Sequence, residues 1–130
     1  LNIQRQKELV EVFHYDIRNT EEEHKTELKV SFLPLKPKEE GFPEENTILG
    51  ARIEFLVVLD KCLISGRVSQ INHIINEKIE SPQNLSQDQV DEIVRPLLEI
   101  IQRLTQEVTE ITFDEPGVKL NFAPEKRDAE

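Results

Sequence analysis

The chain has no tryptophan and no methionine, and only one cysteine, one tyrosine and four glycines in 130 residues. Each scarcity closes off a class of function. A lone thiol, Cys62, cannot form an internal disulfide. Its setting, Lys61-Cys62-Leu63-Ile64, is that of a small buried hydrophobe in a reducing, cytoplasmic protein. With so few glycines there is no G-x-G-x-x-G, P-loop or G-x-S-x-G pattern, so no phosphate cradle or hydrolase elbow is expected. Tyr15 and the six phenylalanines lack the interleaved basic residues used to stack single-stranded nucleic acid. Basic residues number 16 against 26 acidic ones, and the resulting charge of −10 has the wrong sign for a phosphate backbone. No apolar run approaches the roughly 20 residues of a membrane-spanning helix, so no membrane insertion is expected.

What is present fits a soluble globular chain, 37% hydrophobic and 32% charged. Its length predicts a single domain over residues 1–130, with residues 1–6 and 125–130 flexible. The charge is unevenly spread: residues 76–115 hold ten acidic side chains against Lys78, Arg95 and Arg103. Such a surface keeps a protein soluble and attracts a basic or cationic partner.

Strand periodicity dominates the first 75 residues. Leu9 to Ile17 alternates, with Leu9, Phe13, Tyr15 and Ile17 on one side and Val10 and Val12 on the other. After the polar connection 18–24, Leu28, Val30 and Phe32 define a second strand, expected to end at Pro34 and Pro37. Residues 34–47 read as a long exposed loop. The third strand, Thr47 to Leu59, carries Phe55-Leu56-Val57-Val58-Leu59, which is apolar on both faces. One helical layer can cover only one of them, so the other calls for a second subunit or a bound polypeptide. Asp60-Lys61 reads as a tight turn, and a fourth strand runs from Cys62 to about Ile75 with Gly66 a candidate bulge. Four strands without an intervening helix predict an antiparallel meander.

A long helix follows over about residues 87–111. Ser86 and Gln89 form an S-x-x-Q capping box at its start. Val90, Ile93, Val94, Leu97, Ile101, Leu104, Val108 and Ile111 recur at helical spacing, with Leu98 and Ile100 widening the stripe. Asp88, Glu92, Glu99 and Glu110 lie opposite. Pro96 sits on that polar side, where a kink is expected and water can take the Glu92 carbonyl it frees. Pro116-Gly117 ends the helix, and Val118 to Phe122 is extended.

No catalytic constellation emerges. His14, His24 and His73 lack metal-ligand spacing, and no residue set is assigned to catalysis, a cofactor or a metal.

Leu120-Asn121-Phe122-Ala123-Pro124 resembles the closing L-N-L-x-P segment of the SecB-type export chaperones. Residues 62–75 resemble their fourth strand, and Arg95-Pro96-Leu97 stands where that family also has a proline early in its main helix. The whole chain is similar to a family of small uncharacterised bacterial proteins of the same fold. The resemblance implies an α+β, SecB-like two-layer subunit: a four-stranded antiparallel meander, one long C-terminal helix and a short extended tail. It also implies homodimers or a dimer of dimers; in the chaperones themselves, unfolded precursors lie in apolar grooves and an acidic sheet surface meets the export ATPase. The second helix of the chaperones has no counterpart after Asn121.

The expected function is that of a non-enzymatic oligomeric protein holding extended or unfolded polypeptide. The candidate oligomer or peptide surface is Phe13, Tyr15, Leu56, Val58, Leu98 and Ile100. The alternatives are an adaptor that binds one folded partner through Asp88, Glu92, Glu99 and Glu110, or an enzyme whose site forms only at a subunit interface.

Overall fold

The computed structural model describes residues 1–19, 21–36 and 41–122. They fall into two compact units, Leu1–Leu97 and Leu98–Glu130. The first holds five strands, β1 (Asn2–Arg5), β2 (Leu9–Ile17), β3 (Glu27–Leu35), β4 (Thr47–Val58) and β5 (Cys62–Ile75), then the opening turns of the helix α1 (Gln87–Phe113). All neighbours in the sheet are antiparallel. The α+β class and the long helix agree with the sequence reading.

β3, β4 and β5 run as a meander, while β1 and β2 are both added to the free side of β5. The β4–β5 hairpin closes at Asp60-Lys61, where the Leu59 amide donates to the Cys62 carbonyl at 3.0 Å. β1 is a fifth strand in a stretch expected to be flexible. With one aliphatic residue among Asn2-Ile3-Gln4-Arg5, it has no alternation to announce it, and its order comes from pairing with Asn72–Ile75. β3 also continues through Pro34 to Leu35. It is an edge strand, so the missing N–H can face outward without breaking a ladder bond. Pro37 and residues 125–130 lie outside the described residues.

One face of the sheet is closed. Leu49, Ala51, Ile53, Phe55 and Val57 of β4 and Cys62, Ile64, Val68 and Ile74 of β5 are buried there. Within the same unit α1 contributes Ile93, Val94 and Leu97, also buried. The helix starts as its capping box dictates: the Gln89 amide donates to Ser86 Oγ at 3.2 Å, and the Ser86 amide to Gln89 Oε1 at 2.9 Å.

α1 is continuous through Pro96, whose ring removes the amide that would bind the Glu92 carbonyl. That carbonyl is taken by protein: Arg5 Nη2, from β1, donates to it at 2.5 Å. Thr47 and Asn46 secure the exit from β5. Thr47 Oγ1 donates to the Glu77 carbonyl and accepts from the Ile79 amide, and Asn46 Oδ1 accepts from the Asn76 amide.

In the second unit the buried positions of α1 are Ile101, Thr105 and Thr109, at four-residue intervals. The apolar pattern instead favoured Leu104, Val108 and Ile111, of which the first two are half-buried and Ile111 is 78% exposed. The segment after the helix accounts for Thr109. Thr109 Oγ1 donates to the Thr105 carbonyl and accepts from the Val118 amide, and Gln102 Nε2 donates to the Leu120 carbonyl. The chain therefore returns along the Gln102, Gln106 and Thr109 side. Gly117 makes the close approach possible, since a Cβ there would lie 2.1 Å from the Gln106 carbonyl oxygen.

Candidate functional site

The cross-strand register builds the open face of the sheet row by row. Val58, Leu63 and Asp16 form its first row, then Glu27, Leu56, Ser65 and His14. The central rows are Lys29, Glu54, Arg67 and Val12, followed by Ser31, Arg52, Ser69 and Leu9. Leu33, Gly50 and Ile71 and then Leu35, Ile48, His73 and Gln4 complete it. The face thus carries aliphatic side chains toward each end, beside polar ones such as Asp16 and Gln4, and is charged across its middle.

Glu11 organises that middle. It is the extra residue of a bulge in β2, because Val10 pairs with Val68 while Val12 pairs with the next residue back, Arg67. Its carboxylate lies 3.4 Å from Arg52 Nε and 3.3 Å from Arg67 Nε. Ser69 hydrogen-bonds to it as well. That bond chiefly holds the Glu11 pKa below the usual carboxylate value, with both arginines assisting and desolvation opposing.

The bulge also decides which side chains face where. Val10, Phe13, Tyr15 and Ile17 oppose Val68, Gly66, Ile64 and Cys62 on the closed face, whereas Leu9, Val12, His14 and Asp16 lie on the open one. Simple alternation had placed Leu9 with Phe13; the inserted residue reverses the parity before it. Gly66 is not itself the bulge. It makes room for one in its partner strand, since a Cβ there would stand 2.1 Å from the Val12 carbonyl oxygen.

The candidate oligomer or peptide surface is therefore divided. Phe13 and Tyr15 are half-buried on the closed face, and Leu56 and Val58 are half-buried on the open face. Leu98 and Ile100 are half-buried on the helix in the second unit. Of the acidic set, Asp88 is exposed and Glu92 half-buried in the first unit, while Glu99 and Glu110 are exposed in the second.

The exposed aliphatics outside that candidate surface lie mainly on the strands flanking the sheet. Ile17 is 69%, Leu33 63% and Leu9 59% exposed, and Val10 and Val30 are also exposed. β3 forms one edge and β2 continues the other, so these apolar side chains lie on strands that have no neighbouring strand on one side among the described residues. Knowing which strands lie at the edges would have found them, but periodicity alone does not give that order.

A depression of about 340 Å³ lies over the charged rows, lined by His14, Glu27, Lys29, Glu54, Leu56 and Arg67 among others. Ser65 and His14 face each other across the strands there, yet no hydrogen bond joins their side chains. His14 and His73 are also well apart along β5, opposite Ser65 and Gln4 respectively. Among the described residues no group of three or more His, Cys, Asp or Glu side chains is placed to hold a metal. Among the described residues no helix is long and apolar enough to cross a membrane.

Comparison with known proteins places this geometry. A crystal structure of a protein of unknown function from Streptococcus agalactiae matches with a TM-score of 0.84 and 40% identity, covering 93% of this chain and 98% of that one. The Mycobacterium tuberculosis SecB-like chaperone Rv1957, solved in complex with a ChAD peptide from the HigA1 antitoxin Rv1956, matches with a TM-score of 0.51. It is 9% identical, and the match covers 92% of this chain and 90% of that one, so the likeness shows a shared SecB-like fold. No match is found among curated proteins. Residues 1–122 match the model of a family described as a protein of unknown function, DUF1149, and the chain belongs to that family.

Proposed function

We propose that the protein is a chaperone-like, non-enzymatic holder of extended or unfolded polypeptide, acting in the cytoplasm as a homodimer or dimer of dimers. The observation that carries this reading is the coincidence of exposed aliphatic side chains with free strand edges. An extended chain laid beside β2 or β3 gains main-chain hydrogen bonds from the edge, and Leu9, Ile17 or Leu33 supplies apolar contact. A fold shared with a chaperone solved in complex with a peptide supports the same reading. Leu56 and Val58, toward one end of the open face, are the positions proposed for subunit contact.

The charged rows limit how such contacts form. Burying Glu11, Arg52, Glu54 and Arg67 under a flat partner would strip water from charges that only partly neutralise one another. Binding at the edges and ends leaves those rows hydrated.

The test is suppression of aggregation of a chemically unfolded reporter protein by the purified chain. Suppression at stoichiometric ratio is expected. Undiminished aggregation in the presence of excess protein would reject the reading. Light scattering at micromolar concentration should give a mass above that of the monomer, and a stable monomer would reject the oligomeric part.

A further inference from the structure

β1 and β2 share one side of β5 but are fastened to it differently. β2 is paired from Cys62 to Ser69, with Phe13 and Tyr15 carried on the closed face. β1 pairs with Asn72–Ile75, and within Asn2–Arg5 only Ile3 is even half-buried. Its register puts Ile3 opposite Ile74 and Arg5 opposite Asn72, both on the closed face. That placement lets Arg5 reach the Glu92 carbonyl. Where β1 gives way to the connection 6–8, the Gln6 amide donates to the Ile71 carbonyl and Gln70 Nε2 donates to the Gln6 carbonyl.

This join is incompletely satisfied. Gln70 and Asn72 are 4% and 0% exposed, and their carboxamide oxygens accept no hydrogen bond from any described residue. Unpaired buried acceptors weaken the arrangement that leaves them without donors. Beyond its short ladder and the Gln6 bonds, β1 is anchored by one half-buried aliphatic side chain and one guanidinium contact, and a short edge strand so anchored is the kind of element that opens locally before the rest of a sheet.

We infer that the β5 edge from Gln70 to Ile75 is a strand-addition site for extended polypeptide, and that β1 occupies it as a built-in competitor. The inference rests on the polypeptide-holding reading and gives it a place and a regulating segment. The chemistry selected is written in β1. An incoming segment places an aliphatic residue beside Ile74. Two residues later it places an arginine whose guanidinium takes the carbonyl left free by Pro96. The side chains preceding these two, where β1 has Asn2 and Gln4, face water.

The test locks β1 in place within the full chain. Asn2 and Ile75 are direct cross-strand partners, so Asn2→Cys with Ile75→Cys can be joined by oxidation and released by reductant. The probe is a fluorescein-labelled peptide with the sequence of residues 2–7. The reduced form should bind it at least about tenfold more tightly than the oxidised form, because locking removes the open population. Bound peptide should shift the amide resonances of Ile71–Ile75, and replacing its arginine by alanine should weaken binding about fivefold. Equal affinity in the two redox states, or no binding to the reduced form, overturns the inference. Arg5→Ala in the otherwise native chain gives an independent check: peptide affinity should rise, and an unchanged affinity counts against β1 as competitor. If oxidised and reduced forms suppress client aggregation equally, this site is refuted while polypeptide holding stands. If peptide exchange occurs but no form suppresses aggregation, the holding reading alone falls.

Discussion

Replacing Arg5 by alanine should destabilise the protein by about 1 kcal/mol, and most of that loss should disappear when Pro96 is also alanine. A hydrogen bond from a charged donor contributes about 1.5–3 kcal/mol. The Arg5 guanidinium meets the Glu92 carbonyl at 2.5 Å in an exposed setting, where ordering a long side chain offsets part of this gain. The net figure is therefore about 1 kcal/mol. Pro96→Ala restores an amide at the position that normally binds the Glu92 carbonyl, so the carbonyl no longer depends on β1. Internal proline costs about 3 kcal/mol in an unsupported helix. Arg5 already covers the orphaned acceptor, so the gain from Pro96→Ala should be smaller, about 1–2 kcal/mol. Urea unfolding followed by far-ultraviolet circular dichroism measures all four corners of the cycle. Shifts in midpoint at constant slope report the energies, and the coupling should be about 0.7–1 kcal/mol. Equal losses on removing Arg5 in both backgrounds would show that Arg5 acts elsewhere. No loss in either would show that the bond contributes nothing in solution.

Gly117→Ala should destabilise by more than about 1 kcal/mol, because its Cβ would enter the Gln106 carbonyl, and hydrogen exchange at the Val118 amide should quicken. Glu11→Gln should remove part of the acid sensitivity of unfolding. The folded carboxyl has the lowered pKa, so its stabilisation is present above the unfolded value of about 4.3 and fades as pH falls through the folded value. An acid limb unchanged in Glu11→Gln would place the sensitivity in other carboxylates. Replacing both Leu56 and Val58 by glutamate should dissociate subunits in light scattering, and unaltered assembly would remove that end of the open face as an interface.

The elements that local chemistry specifies were legible. Ser86 and Gln89 announced the helix start because a capping box needs only neighbours, and the bounds of β5 followed from its apolar alternation. Features set by distant partners were not. One inserted residue, Glu11, moved Leu9 to the open face and Val10 to the closed one, and only pairing with β5 reveals the insertion. Thr109 is buried although it breaks the apolar stripe, because it receives an amide from a segment that folds back. The Glu92 carbonyl was correctly identified as freed by Pro96, but its guanidinium partner comes from a strand too polar to be recognised in sequence. The candidate surface drew on residues that the cross-strand register places on two faces of the sheet, so strand membership was read more securely than facing.

The placement of β1 and β2 beside β5 has a consequence in time. β3, β4 and β5 can close as successive hairpins, each contact made between neighbours in the chain. β2 must instead join Ile17 to Cys62, and β1 must join Asn2 to Ile75, after everything between them has been laid down. During folding the far side of β5 therefore stays uncovered longest, and β1 meets it at the greatest separation in sequence. Where pairing follows separation in sequence, the β5 edge that β1 covers is the last to close.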